Sequence, residues 1–242
     1  MLISVIVPTF NDEARLPVTL RQLAEQPDVE LIVVDGGSTD CSVEIAQQVT
    51  PFVFVSHAGR ARQMNEGARH ATGDILLFLF PGSLLLPGAL LEIQRRVIAA
   101  SAVGGAFDLH FDSRRRLLRV LGSLASRRAR LWRLPRGEQG IFVWRQVFRH
   151  LGGFPEIPIL EDAAFARRLR RAGRLTFIRD GLVASARRWH SHGPWKTMLV
   201  DAWIGFLTAL RIPPRQLRRI YDGWMREPSL GETRRRRGVS VG

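Results

Sequence analysis

Four times in its first hundred residues the chain passes from a short apolar run to a stretch with helical spacing. This alternation limits the possible folds more than any other feature. Leu2–Val7 (LISVIV) reads as a buried strand ending at Pro8, and Ala14–Ala24 then places Leu16, Leu20 and Leu23 on one helical face. Glu30–Val34 is a second strand running into Asp35-Gly36-Gly37-Ser38, after which Thr39 or Asp40 can cap a helix over Val43–Val49. Phe52–Ser56 is a third strand, and Ala61–Ala71 a helix stopping near Gly73. Asp74–Leu79 is a fourth strand, and Pro87 suits the first turn of a helix reaching Ala100. Repeated strand–helix units, with strands apolar throughout, predict an α/β fold: a parallel sheet with helices on both faces. Ligands of such sheets collect outside the carboxyl ends of the strands. Here those ends are Pro8–Asp12, Asp35–Asp40, Ser56–Arg62 and Phe80–Ser83.

The second half is less regular. Val103–Leu109 reads as a strand, Leu117–Leu134 as a basic amphipathic helix and Gly137–Val143 as a loop entering a short strand. Gly152-Gly153-Phe154-Pro155 is a turn, Glu161–Ala172 an arginine-studded helix and Leu175–Ile178 a strand. Pro194–Arg211 and Pro214–Trp224 are predicted as closing helices. The expected organisation is a domain over 1–190, split into a nucleotide-binding half (1–100) and an acceptor half (101–190). A helical extension over 191–228 and a basic, disordered tail over 229–242 complete it.

Composition removes several classes. At 242 residues and 45% hydrophobic, the chain can build a real core and is not disordered throughout. Its single cysteine, Cys41, excludes an intrachain disulfide scaffold and fits a reducing compartment. Leu2–Val7 is a poor leader, Ile75–Leu91 is broken by Pro81, Gly82, Pro87 and Gly88, and Met198–Leu210 is interrupted by Asp201. A cytoplasmic protein is therefore expected, with peripheral membrane contact left open. Residues 1–100 carry 7 arginines against 11 acids, whereas 101–242 carry 28 arginines and Lys196 against another 11. Thirty-five of the 36 basic residues are arginine, which fits GC-rich codon usage as well as a surface facing phosphates or lipid. No basic stripe with interleaved aromatics marks a nucleic-acid module.

Five segments in order carry a resemblance. They are Val7-Pro8-Thr9-Phe10-Asn11-Asp12 with Val33–Asp40, then Gly59-Arg60-Ala61-Arg62-Gln63-Met64-Asn65-Glu66-Gly67, Gly152-Gly153-Phe154-Pro155, Glu161-Asp162, and Ser185-Ala186-Arg187-Arg188-Trp189. Over about Leu2 to Trp189 the chain resembles the family-2 glycosyltransferases, closest to a subgroup of small, stand-alone bacterial members. The resemblance implies a GT-A fold and inverting transfer of a hexose-like sugar from a nucleotide-sugar donor to a hydroxyl acceptor. Pro8, Thr9, Asn11, Asp35 and Gly36 would then meet the nucleoside. Arg60 and Arg62 would meet the diphosphate, with Asn65 nearby. Asp162 would be the catalytic base, positioned with Glu161. Arg188 and Trp189 would close over the phosphates or acceptor, though Ser185 stands where the family's motif opens with Gln.

The residue types suit these roles. An ionised Asp35 is a pure acceptor for base or ribose donors, and guanidinium groups bind phosphate in a bidentate fork. A carboxylate at Asp162 can take the proton of an attacking hydroxyl. Each also has a plain structural reading. Asp35–Asp40 can be a turn and helix cap, Arg60 and Arg62 a solvated helix face, and Glu161-Asp162 acids that complement a helix dipole. His190 and His192 are a weak metal signal, better read as surface histidines.

One departure matters. GT-A enzymes usually carry an Asp after the fourth strand that holds Mg or Mn against the diphosphate, and relatives in the subgroup would show a His-Ala-Asp-Thr-like run there. This chain has Phe80-Pro81-Gly82-Ser83, with Gly82 at the Asp position. Hard cations need oxygen ligands, usually carboxylates, so no metal ligand is assigned. Two alternatives follow: arginines neutralise the leaving diphosphate, or the chain is a catalytically inactive nucleotide-sugar-binding protein.

Overall fold

The computed structural model describes residues 1–113, 115–210 and 212–225. The elements of the first half are β1 (Ile3–Thr9), α1 (Leu16–Ala24), β2 (Val29–Asp35), α2 (Ser42–Gln47), β3 (Val53–Val55), α3 (Arg60–His70), β4 (Ile75–Phe78), β5 (Leu84–Leu85) and α4 (Ala89–Ala99). Then come β6 (Gly104–Phe107), β7 (His110–Phe111), α5 (Arg116–Trp132), a 3-10 turn (Gly137–Gln139), β8 (Phe142–Trp144), α6 (Arg145–His150) and α7 (Glu161–Ala172). The chain continues through β9 (Leu175–Ile178), β10 (Leu182–Ala184), α8 (Arg187–His192), α9 (Pro194–Ala209) and α10 (Pro214–Met225). The chain forms two compact units, Met1–Ser185 and the segment from Ala186 onward. The boundary expected at 190 falls inside α8. The basic tail expected over 229–242 lies outside the described residues.

In the first unit a seven-stranded sheet runs β3-β2-β1-β4-β8-β6-β9. The four strands predicted from the first hundred residues pair in parallel, Val5 opposite Leu31 and Leu77. Antiparallel β8 joins them to β6, so the sheet is mixed. Strand alternation divides the core. Ile3, Val5 and Val7 of β1 face Leu16, Leu20 and Leu23 of α1 and Ile93 of α4. Ile6 faces the other way, with Met64 of α3 and Phe165 of α7. Both faces are dry, which is why these strands read as continuous apolar runs.

Several boundaries differ from expectation. Strand β1 continues through Pro8 to Thr9, because Pro8 lies past the last β1–β4 pair, Ile6 with Phe78, and its missing N–H is not needed there. Helix α4 starts at Ala89 rather than at Pro87, since Gly88 adopts φ +79 and acts as the cap position. Asp40, not Thr39, accepts the Ser42 N–H at the head of α2. The sequence does not predict the small second sheet, β5-β10-β7, or the short helices α6 and α8. Two- or three-residue strands and single-turn helices show no readable period.

An aromatic cluster seats α7. Phe154 lies 4.5 Å from Phe165 and 4.9 Å, edge-on, from Phe78, while Phe148 lies 5.3 Å from Phe165. The Gly152–Pro155 turn thus delivers a buried ring that fixes the helix bearing Glu161 and Asp162. Phe154→Ala should lower unfolding free energy by about 3–5 kcal/mol, read as a lower midpoint in urea denaturation.

Candidate active site

The carboxyl ends of β1 and β2 are tied together before any ligand is considered. The Asp35 side chain is buried, and its Oδ2 accepts the N–H groups of Gly37 (2.7 Å) and Ser38 (2.8 Å) while Oδ1 accepts the Ser38 hydroxyl. The turn reading of this loop is thus realised. A carboxylate has about four acceptor positions, so three uses leave room for another donor. Asn11 sits at φ +52; its N–H donates to Ser38 Oγ (2.8 Å) and its Oδ1 accepts the Thr39 N–H (2.9 Å), clamping the two loops. Pro8 and Thr9 are buried beside them, and the Gly36 N–H donates to the Thr9 carbonyl (2.9 Å).

Helix α3 joins this end to the carboxylate pair. Gln63 is buried and donates from Nε2 to the carbonyls of Thr9 (2.6 Å) and Val34 (3.0 Å). A Cβ on Gly36 would come within 3.0 Å of that amide, which is why glycine stands there. One turn earlier, Arg60 Nε lies 2.9 Å from Glu161 Oε1, and its guanidinium carbon sits 5.4 Å from the centre of the Phe80 ring. Arg62 diverges from it and pairs at the surface with Glu156 (3.0 Å). Asn65 serves another purpose: its amide gives to the Phe154 carbonyl (2.8 Å) and takes the Phe154 N–H (2.9 Å).

Glu161 and Asp162 open α7 behind Leu160, whose φ of +65 places a non-glycine residue in the left-handed region. Asp162 Oδ2 accepts the Gly137 N–H (2.8 Å), Oδ1 accepts the Ala163 N–H (2.6 Å), and Arg136 Nη1 stands 3.7 Å away. Burial raises Glu161 above the usual carboxylate range; Arg60 opposes the rise and the Asp162 charge adds to it. Burial also acts to raise Asp162. The guanidinium groups of Arg136 and Arg60, with the Gly137 and Ala163 N–H groups, outweigh it and hold Asp162 below its usual range. The two adjacent carboxyls are thus driven apart in acidity by their surroundings. Arg136 and Gly137 were missed in the sequence, where nothing signals them. Gln63 stands in the Gly59–Gly67 segment, where nothing local signals its bonds to Thr9 and Val34.

Phe80-Pro81-Gly82-Ser83 is a tight turn. The Ser83 N–H donates to the Phe80 carbonyl (3.0 Å), Gly82 has φ +86, and Pro81 precedes it, the pattern of a type II turn. Thr19 ties it down by accepting the Gly82 N–H and donating to the Ser83 carbonyl, both at 2.9 Å. A Cβ at Gly82 would reach 3.0 Å from Ser185 Cβ, on a backbone that disfavours one. Among the described residues no group of three or more His, Cys, Asp or Glu could hold a metal ion. These residues do not fit Mg or Mn. Arg188 and Trp189 lie on α8 of the second unit, with His190 and His192.

A strand order of 3-2-1-4 at one edge is that of doubly wound nucleotide-binding sheets, and the whole fold is that of the GT-A glycosyltransferases. The sequence matches the family described as "Glycosyl transferase family 2" over residues 4–153, and the chain belongs to that family. Among similar proteins is a "PGL/p-HBAD biosynthesis glycosyltransferase" of Mycobacterium tuberculosis, 41% identical over 87 residues, 32% of this chain and 34% of the relative. A "Validoxylamine A glucosyltransferase" of Streptomyces hygroscopicus is 36% identical over 112 residues, 42% of this chain and 24% of the relative. The matched stretches thus span about a third or less of those relatives. Among solved structures, S. aureus TarS with UDP-GlcNAc superposes with TM-score 0.62 at 19% identity, covering 76% of this chain and 58% of TarS. The mannosyltransferase PcManGT of Pyrobaculum calidifontis, solved with GDP-Man and Mn2+, gives 0.60 at 18% identity, covering 99% and 76%. At these identities the likeness is one of fold.

The two carboxyls affect stability in opposite senses. Asp162, held low, contributes stability that is present above its unfolded value of about 3.9 and lost as pH falls through its folded value. Glu161, held high, contributes below its unfolded value of about 4.3 and loses this as pH rises through its folded one. Arg136→Gln should move the Asp162 midpoint upward and that of Glu161 upward by less, since Arg136 also opposes the rise of Glu161, read by carbon NMR titration of the two carboxyls.

Proposed function

We propose that the chain is an inverting glycosyltransferase that moves a sugar from a nucleotide-sugar donor to a hydroxyl acceptor. The observation that carries this reading is geometric: the Glu161–Asp162 pair stands at the head of α7, with Arg60 Nε 2.9 Å from Glu161 Oε1 and the Arg136–Gly137 loop against Asp162. In the proposed step the acceptor oxygen forms a bond to the anomeric carbon as Asp162 takes its proton. The bond from that carbon to the diphosphate oxygen breaks, and the nucleoside diphosphate leaves with the electron pair. Asp35, Gly36, Asn11, Pro8 and Thr9 hold the nucleoside, the open acceptor position of Asp35 taking a base or ribose donor. Arg60, with Arg62 nearby on α3, supplies positive charge to the diphosphate in place of a carboxylate-held metal. Glu161 orients Arg60, and Asn65 acts at one remove by fixing the Phe154 turn.

The Gly82 turn also favours a second reading, a nucleotide-sugar-binding protein without turnover. One experiment separates the two: thermal shift and turnover with a set of nucleoside diphosphates and nucleotide sugars, in EDTA and in Mn2+. Expected is stabilisation by a nucleoside diphosphate, reaching about 2.7 kcal/mol at a hundredfold excess over Kd, of equal size in EDTA and Mn2+. Turnover should fall about 10²- to 10⁴-fold in Asp162→Asn while the thermal shift persists. Full turnover by that variant would remove Asp162 as base, and binding with no turnover on any donor would leave the non-catalytic reading.

A further inference from the structure

The second unit carries a feature that transfer of a sugar does not use. Helix α9 is apolar around nearly its whole circumference, with Lys196 and Asp201 as its charged residues. Such a helix is normally buried on all sides. Here Val200, Ile204 and Leu207 are buried, whereas Trp195, Leu199, Trp203, Phe206 and Leu210, just past its end, are between 49% and 67% exposed. At 100° per residue these five fall within an arc of about 80°, centred roughly 100° around the helix from the buried three. They form one continuous ridge, and the Trp203 and Phe206 rings stack at 5.6 Å.

The unit that carries this ridge is also cationic. Lys196 lies beside the ridge, and α10, which packs on α9, exposes Arg215, Arg218 and Arg219, with Arg218 paired to Asp222. From Ala186 onward the sequence holds 12 basic residues against 4 acids, including Arg234–Arg237. Among the described residues no helix is long and apolar enough to cross a membrane. An exposed aromatic ridge beside arginines meets the two requirements of stable attachment to a lipid surface: apolar insertion at the acyl boundary and attraction to anionic headgroups. Tryptophan in particular settles at that depth.

We propose that the ridge Trp195-Leu199-Trp203-Phe206-Leu210 and the α10 arginines dock the protein on an anionic bilayer surface. The test is co-sedimentation of the full chain with vesicles of phosphatidylcholine alone, or with about one quarter phosphatidylglycerol, at about 150 mM salt. Wild type should pellet with the anionic vesicles and remain largely in solution with the neutral ones. The apolar variant is Leu199→Ser with Trp203→Ser, which should weaken partitioning at least about tenfold. Arg215→Glu with Arg219→Glu leaves the apolar ridge intact and should abolish the preference for anionic vesicles. Far-UV circular dichroism and the thermal midpoint confirm that each variant folds. The proposal is overturned if wild type ignores anionic vesicles or if both folded double variants pellet like wild type. A concentration-dependent dimer that Leu199→Ser with Trp203→Ser dissolves, without vesicle binding, would assign the ridge to a second copy and overturn it equally.

Discussion

Helix α3 is the member on which the arrangement of the site depends, and the interaction that matters most is the ion pair at its first residue. Arg60 holds the buried Glu161, and one turn later Gln63 holds the carbonyl ends of β1 and β2. The spacing of three residues puts both side chains on neighbouring faces of the same end of the helix. Loops that would meet a nucleoside and carboxylates that would meet an acceptor are thereby fixed to one rigid rod. Gly67 lets that rod lie close on the sheet, since a Cβ there would fall 2.5 Å from Ile6. Burying two adjacent carboxyls is costly unless charge and hydrogen bonds answer them. Arg60, Arg136 and the Gly137 N–H do so, and they do it unequally, which is what separates the two groups in acidity.

The turn at Phe80–Ser83 keeps its shape without a carboxylate. Its geometry is supplied by Pro81 and Gly82 and its anchorage by Thr19 and Gln22, with nothing asked of a carboxylate. The Phe80 ring, meanwhile, lies against both Arg60 and Gly137, so the segment remains part of the site through packing. Arg60 is always protonated and presents several donors in a plane.

How much of this could be read from the sequence follows from the range of the forces involved. The four parallel strands and their helices were legible because Val5, Ile32 and Leu76 lie within continuous buried runs, and because α1 and α3 repeat at helical spacing. Glu161 and Asp162 were legible as a pair. Their inequality was not, because it is set by Arg136 and Gly137, some 25 residues away along the chain in the case of the Gly137–Asp162 bond. Asn65 belongs to the Gly59–Gly67 motif, which fits a place near the donor or a packing role, and its amide is matched to the Phe154 backbone, a partner 89 residues distant. Short-range signals such as turns, caps and periodicity survive in one dimension, whereas a hydrogen bond between remote loops leaves no local trace.

Leu160 carries one more consequence. A branched side chain held at φ +65 is a loaded joint immediately ahead of the two acids, and it persists because Phe154 and Phe165 pin the helix that follows. Selection for heat resistance would find an easy gain there by installing glycine, which relaxes the joint. The same change would loosen the aim of the acids, so hardiness and chemical competence draw on a single peptide unit.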